Sequence, residues 1–302
     1  MKPMLSATFT PEWAPRLRFP LMVSPKLDGF RAVVLEDGRL YSKNLKLIRN
    51  EFIQRWFSEV LPPDLLRGLD GELIVGAPTG GSVINRTSSG VTSRTGEPNF
   101  TYWVFDNWEC CDDTFQNRLR YAGAQAKSPA AAKRVKQVPH RFVKTMEELL
   151  RAEQEFLDQG YEGIMLRDPA GVYKYGRSTE REGLLWKFKR FTDFEFRIDA
   201  IEEAEENTNA ATIDELGRTK RSSAKAGKVP KGMAGTLVGT RLDTGEKVRV
   251  GPGNLTHAER IWFWHNRAAL TGRIGKAKVF EYGAVDADRF PTFVCLRDED
   301  DL

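Results

Sequence analysis

Seven short apolar runs separated by turn residues read as β-strands across the first 190 residues. Leu21 to Ser24 and Arg31 to Leu35 flank Asp28-Gly29, and Asp37-Gly38 turns the second run into Arg39 to Ser42. Asp-Gly pairs supply the positive φ that tight hairpin turns need. Leu69 to Val75, Phe100 to Phe105, Gly163 to Arg167 and Leu185 to Phe188 continue the series. Two stretches have helical spacing instead. Glu51 to Leu61 places Phe52, Trp56, Phe57 and Val60 on one face and stops at Pro62-Pro63. Thr145 to Gly160 opens with Thr145 and Glu148 in capping-box spacing. The stretch from Gln125 to Gln137 fits either a solvated helix or a loop.

The pattern changes after Arg190. A strand over Phe194 to Ala204 precedes a long polar segment, Glu205 to Gly232. Further strands are expected near Gly235 to Leu242, Lys247 to Val250, Lys276 to Ala284 and Phe293 to Leu296. One helix, Thr256 to Leu270, interrupts them, with Thr256 and Glu259 as a capping box. Short strands with a single helix suit a five-stranded β-barrel of the oligonucleotide-binding (OB-fold) type. The class is therefore α+β, with domains over 1–190 and 191–302.

Composition removes several function classes. The three cysteines, Cys110, Cys111 and Cys295, form neither a disulfide framework nor a zinc spacing. The three histidines, His140, His257 and His265, are scattered, which argues against a histidine-based centre. No apolar run spans a bilayer, and Met1 to Phe9 lacks a secretory signal, so a cytoplasmic protein with no membrane contact is expected. A net charge of +4 is compatible with nucleic acid.

Chemistry therefore falls to Lys, Arg, Asp and Glu. In Ser24-Pro25-Lys26-Leu27-Asp28-Gly29-Phe30-Arg31 a lysine ends an apolar strand beside a turn. Desolvation and neighbouring cations such as Arg31 lower an amine's pKa and make it a nucleophile toward phosphorus. Taken alone, the segment equally fits a hairpin with a surface lysine. In Asp70-Gly71-Glu72, Glu72 is placed for a ribose hydroxyl or a metal. In Glu162-Gly163-Ile164-Met165, Glu162 suits magnesium, which favours one or two carboxylates with phosphate oxygens. In Trp186-Lys187-Phe188-Lys189 two lysines share one strand face, which on a buried face calls for an anion such as a triphosphate.

In this order, and with Tyr102 to Asp106, these segments resemble the motifs of the covalent nucleotidyltransferases: DNA ligases, RNA ligases and capping enzymes. Val172 to Arg177 and Phe290 to Phe293 are similar to stretches of the short bacteriophage ATP-dependent DNA ligases. The resemblance implies a nucleotidyltransferase domain of antiparallel sheets flanked by helices, followed by the OB-fold domain. It implies ATP and Mg2+ as cofactors and nicked duplex DNA as partner. It also implies a monomer that works in replication, repair and recombination, in the host cytoplasm if viral.

Residue roles follow from the same resemblance. Lys26 is the adenylated nucleophile. Arg31 contacts the nick 5′-phosphate or the ribose side of AMP, and Glu72 the ribose. Phe105 stacks on adenine and Met165 packs on its other face. Glu162 binds metal, with Glu72 as a second candidate. Lys187 and Lys189 hold the α-phosphate, and Arg177 binds phosphate at the nick. The sequence departs from the family in three places. Ser24 stands where many relatives have Glu. Lys43 stands for an Arg, so it keeps the charge for phosphate but lacks the bidentate fork. Of the carboxyl-terminal basic motif only Arg297 remains, with Cys295 and Asp300 at the other two places.

Arg218, Lys220, Arg221, Lys225, Lys228 and Lys231 lie in a stretch with no acidic residue between Gly217 and Met233. It reads as a flexible basic arm for a phosphate backbone. Trp262 and Trp264 are expected to pack on the barrel with Ile261 and Ala268. The competing readings are an RNA ligase or capping guanylyltransferase, and a non-enzymatic single-strand binding module. The second gives no use to Lys26, Glu72, Glu162, Lys187 and Lys189.

Overall fold

The computed structural model describes residues 2–60, 62, 64–80, 83–190, 192–213, 219–222, 224–253, 255–280 and 289–297. The chain divides into two compact units, with the change falling between Lys189 and Arg190. The architecture is mixed α+β.

The first unit contains β1 (Ala7–Thr8), β2 (Leu21–Pro25), β3 (Phe30–Val34), β4 (Leu40–Ser42) and β5 (Leu69–Val75), then β6 (Phe100–Asn107), β7 (Val135–Gln137), β8 (Arg141–Val143), β9 (Ile164–Arg167) and β10 (Leu185–Phe188). They form two five-stranded sheets, ordered β1-β10-β9-β2-β8 and β4-β3-β5-β6-β7. Among the described strand pairs of this unit, β1 with β10 and β6 with β7 run parallel and the others antiparallel. Helices α1 (Glu51–Arg55), α2 (Val83–Thr92), α3 (Phe115–Ala126) and α4 (Met146–Asp158) flank the sheets. Alternation along the strands feeds two cores. Val34, Leu40, Leu73 and Phe100 pack with Ile53, Trp56 and Phe57. Val23, Ile164, Leu166 and Trp186 pack with Leu149 and Phe156 of α4.

Helical content differs from the expectation in three places. The first helical stretch is α only over Glu51–Arg55, and Trp56–Val60 widens into a π-helical turn. Asn50 caps it, its side chain accepting from Ile53 N at 2.9 Å. Helices α2 and α3 were not expected. The α2 sequence, VINRTSSGVT, buries Thr87, whose Oγ1 accepts from Val75 N at 3.1 Å. The α3 helix buries Arg118 among Phe115, Leu119, Ala122 and Ala126, so a charged residue interrupts its apolar face. In α4, Thr145 Oγ1 caps Glu148 N, while the Glu148 carboxylate reaches Lys144 N instead of closing the box on Thr145.

The second unit contains β11 (Thr192–Asn207), β12 (Ala211–Ile213), β13 (Thr219–Arg221), β14 (Lys228–Arg241), β15 (Lys247–Val250), α5 (His257–His265), α6 (Arg267–Leu270), β16 (Ile274–Phe280) and β17 (Arg289–Leu296). Its main sheet runs β15-β14-β11-β16-β17, all neighbours antiparallel. The outer strands also meet: Gly251 N donates to Pro291 O, and Phe293 N to Gly251 O, both at 2.9 Å. The capping box at Thr256 and Glu259 is present.

Where it is described, the polar segment is strand and not loop. Glu205, Glu206 and Asn207 of β11 pair with Pro230, Val229 and Lys228 of β14, and β12 pairs with β13. These paired backbone amides are not revealed by the charge pattern. Trp262 and Ile261 also depart from the expected packing. Trp262 is 52% exposed, Ile261 is exposed as well, and Phe263 takes the buried position on α5. Trp264 packs against the core. No helix among the described residues is long and apolar enough to cross a membrane.

Candidate active site

Close backbone approach fixes the lysine segment. A Cβ at Gly29 would lie 2.7 Å from Glu72 Cγ and 2.8 Å from Ile74 Cγ1, so only glycine lets β3 enter beside β5 here. Lys26 N donates to Gly163 O at 2.8 Å, which fastens the end of β2 to the segment that carries Glu162. Gly163 has φ 149°, and a side chain there would strike the Phe188 carbonyl. Three of the motifs seen in the sequence thus meet by backbone contact.

Their side chains converge on one cavity of about 170 Å³. Lys26, Arg31, Glu72, Phe105 and Met165 line it, together with Ser24, His140 and Arg167. Lys26 Nζ donates to Glu162 Oε2 at 2.5 Å and to Leu27 O at 3.3 Å. Lys189 Nζ is ion-paired with the other oxygen, Oε1. Glu162, 8% exposed, therefore bridges two lysines. The sequence pointed to cations as the neighbours of Lys26, but here a carboxylate lies directly against its amine.

Arg31 is held rigidly. Its Nε and Nη2 donate to the two oxygens of Asp70 at 2.6 and 2.5 Å, and its Cζ lies 4.5 Å from the centre of the Phe105 ring. Tyr173 donates its hydroxyl to Asp70 at 2.6 Å and accepts from Met4 N. Desolvation opposes the Arg31 charge, but Asp70 outweighs it and the guanidinium pKa goes up.

The carboxyl of Glu72 is pushed up to about 7 by burial, against the pull of Arg31 and Lys26. In the unfolded chain it would titrate at 4.5. The folded state thus holds this proton more tightly. Its stability falls as pH rises from the unfolded value through about 7, and is level above that. Glu72→Gln is expected to raise Tm at pH 8 by on the order of 5 °C and to leave it nearly unchanged at pH 4. Thermal unfolding at both pH values checks this, and equal shifts at the two would reject it. The ammonium of Lys187 is pushed down by burial, with Arg177 and Lys26 adding repulsion. Lys187 therefore belongs to the same electrostatic group, although it is not in the cavity wall.

Lys43 is exposed after β4, outside the cavity wall, and Arg177 is exposed with Nη1 donating to Ser6 O at 2.7 Å. In the second unit, Arg221 and Lys225 are exposed, Lys220 lies on β13, and Arg218 falls outside the described residues. Lys228 and Lys231 are ion-paired with Glu205 and Glu206 at 3.2 and 3.8 Å, carboxylates supplied by the opposite strand. Lys26, Arg31, Glu72, Glu162 and Lys189 are drawn together, with Phe105 and Met165 in the same wall.

The sequence motifs assign no role to three groups at this site. Asp70 is fully buried and positions Arg31. Its signal was available, since Asp70 and Glu72 stand two apart on a strand and face the same side. Asp106 accepts from Arg118 Nε at 2.7 Å and Arg167 Nη2 at 2.6 Å, with all three residues buried. His140 lies in the cavity wall despite the scatter of histidines along the chain. Among the described residues no group of three or more metal-ligating side chains stands together.

Two antiparallel-rich sheets that close a lysine-bearing, cation-lined cavity define a nucleotidyltransferase. Residues 3–189 match the model of the ATP dependent DNA ligase domain. The chain belongs to that family: it is an ATP-dependent DNA ligase, which seals nicks through a covalent lysyl-adenylate and a DNA-adenylate. Chlorella virus DNA ligase-adenylate is similar at 28% identity, covering 99% of this chain and 98% of that chain with a TM-score of 0.55. A Lig E DNA ligase shares the fold at 21% identity, covering 98% and 99%, with a TM-score of 0.69. Bacteriophage T7 ligase in complex with ATP shares it at 16% identity, covering 98% of each chain, with a TM-score of 0.51. No curated protein sequence matches this chain.

Proposed function

We propose that Lys26 is the residue that carries AMP, and that the cavity around it binds ATP. One observation carries this reading: the Lys26 amine stands at a cavity walled by Arg31, Glu72, Phe105 and Met165, and shares the Glu162 carboxylate with Lys189. Nζ attacks the α-phosphorus, a P–N bond forms, and the bond to pyrophosphate breaks. Glu162 Oε2, already against Nζ, is placed to accept the proton whose loss frees the lone pair for attack, and the second proton, lost as the P–N bond forms, passes to solvent. Phe105 and Met165 offer a ring and a thioether to the base, and Glu72 accepts from the ribose hydroxyls. Lys187 and Lys189 neutralise the α-phosphate, because catalysis of phosphoryl transfer is mainly positioning and charge neutralisation. Arg31, locked by Asp70, presents a fixed cation to the nucleotide or to the nick phosphate. Lys43 and Arg177 supply exposed cations for phosphates beyond the cavity wall.

The donor set fits Mg2+ in one specific way. Both oxygens of Glu162 face ammonium groups in the nucleotide-free protein. Adenylation turns the Lys26 ammonium into a phosphoramidate whose nitrogen is uncharged, so once the proton taken up by Oε2 has passed to solvent, that oxygen is left without its cation. Glu162, with Glu72 as the second candidate, would then hold Mg2+ together with phosphate oxygens. Bound there, the ion would neutralise charge on the phosphate oxygens. Label from α-labelled ATP should appear on Lys26 and chase into nicked DNA. A protein that takes no label would reject the assignment.

We further infer that the second unit is an OB-fold barrel that binds DNA. The strand order, the Gly251 bridge between the outer strands and the position of α5 between β15 and β16 support this. Arg221 and Lys225 face solvent, so they would displace counterions more effectively than Lys228 and Lys231, whose charge Glu205 and Glu206 offset. The double variant Arg221→Ala, Lys225→Ala should reduce the slope of log K against log salt on nicked DNA by about 2. Adenylation should not change. Anisotropy titrations at several salt concentrations measure the slope, and an unaltered slope would remove these residues from the interface.

A further inference from the structure

We propose that His140 reads the adenine base, accepting a hydrogen bond from its 6-amino group through Nε2. The inference rests on the reading of this cavity as the nucleotide site. It adds a residue that reads the edge of the base, where the groups above pack on its faces or handle the sugar and phosphates.

The placement comes from strand register. Leu21, Met22 and Val23 of β2 pair with Val143, Phe142 and Arg141 of β8. His140 immediately precedes β8, next to the Arg141–Val23 pair that ends this ladder. Ser24, the residue after Val23, pairs with Met165 of β9. His140, Ser24 and Met165 all line the cavity. Two residues beyond Ser24 stands Lys26. A base lying against Met165 shares this cavity with the His140 ring.

The tautomer follows from one contact. His140 Nδ1 lies 2.8 Å from Val138 O. A carbonyl cannot donate, so Nδ1 carries the proton and Nε2 keeps the lone pair. No hydrogen bond to Nε2 exists among the described residues. The ring stays neutral at physiological pH, because burial, aided by Arg167, pushes its pKa down to about 4. The ring is also fixed in place, its centroid 5.5 Å from that of Phe115. A fixed, neutral acceptor in a cavity wall matches a donor on the ligand. Adenine presents an amino group at position 6, whereas guanine presents a carbonyl oxygen that would face the lone pair. The neighbouring Arg167 is not an alternative reader of the base. Its Nη2 is held by Asp106 at 2.6 Å, and its Nη1 lies 3.2 Å from Met4 Sδ.

The test compares ATP with purine riboside triphosphate, which lacks only the 6-amino group, as substrates for self-adenylation. Wild type should prefer ATP by about tenfold in the second-order rate constant, the size of one hydrogen bond. His140→Ala and His140→Phe should both bring the ratio close to one, by slowing ATP while leaving the analogue unchanged. The phenylalanine variant keeps a ring against Phe115, so a folding defect in the alanine variant does not confuse the outcome. A purely structural histidine would slow both nucleotides alike and leave the ratio where it was, as would a histidine that never meets the base. Either result overturns the proposal while Lys26 labelling stands. If wild type takes no label on Lys26 from either nucleotide, the cavity reading fails and the proposal falls with it.

Discussion

Lys26→Ala protein takes no label from α-labelled ATP and seals ordinary nicks at least about 10⁴-fold more slowly than wild type, the scale expected when a covalent nucleophile is removed. Lys26→Arg should fail equally. A guanidinium can still pair with Glu162, but it remains protonated and offers no lone pair to phosphorus. This comparison separates the nucleophile from the charge. The final step, attack of a 3′-hydroxyl on a DNA-adenylate, does not form a bond to Nζ. Both variants should therefore seal a nick that is supplied already adenylated far better than one that is not. Gel assays with the two DNA substrates measure the difference. Label retained on Lys26→Ala protein would show that another residue carries AMP.

Asp106→Ala should lower stability by about 3–5 kcal/mol, because it strands charge in the protein interior. Asp106 and Arg118 are fully buried and Arg167 nearly so, and a single carboxylate serves both guanidinium groups. Arg118 has further partners in the carbonyls of Asp113 and Gly171, at 2.5 and 2.9 Å, but neither carries a charge. Without Asp106, two cations remain in a medium that cannot solvate them. The fall in Tm should be on the order of 10 °C for a unit of this size. Asp106→Asn keeps the shape and loses the charge, so most of the loss should persist in it. A Tm within about 2 °C of wild type for Asp106→Ala, on the same scale, would show that the guanidinium groups find other compensation.

The contrast between these two sites shows how far local pattern reaches. Lys26 and Arg31 are visible because they and the flanking apolar runs are contiguous in the chain, but the expected hairpin at Asp28-Gly29 does not form: β2 and β3 join different sheets, and Gly29 serves the close approach to β5. The strand over Leu69–Val75 and the capping box at Thr256 are visible for the same reason. Helix α3 escaped because its buried face carries Arg118, a residue whose burial makes sense only beside Asp106 and Arg167. The basic segment read as a free arm because its carboxylate partners, Glu205 and Glu206, lie on the opposite strand. Trp262 read as core because helical spacing marks one apolar face without saying which residue at its margin is covered.

Hydrophobic period, turn chemistry and the order of charged motifs are local quantities, so the amino-acid order alone settled the class of fold and pointed to an amine as nucleophile. The partner of that amine, Glu162, lies 136 positions away. Other partners are remote as well: Asp70 lies 39 positions from Arg31, and Asp106 lies 61 positions from Arg167. A charge changes its energy severalfold with its neighbours and its exposure to water. Neither is defined until strands from distant parts of the chain are laid side by side, and for that reason the tertiary structure alone decided how the cavity is charged.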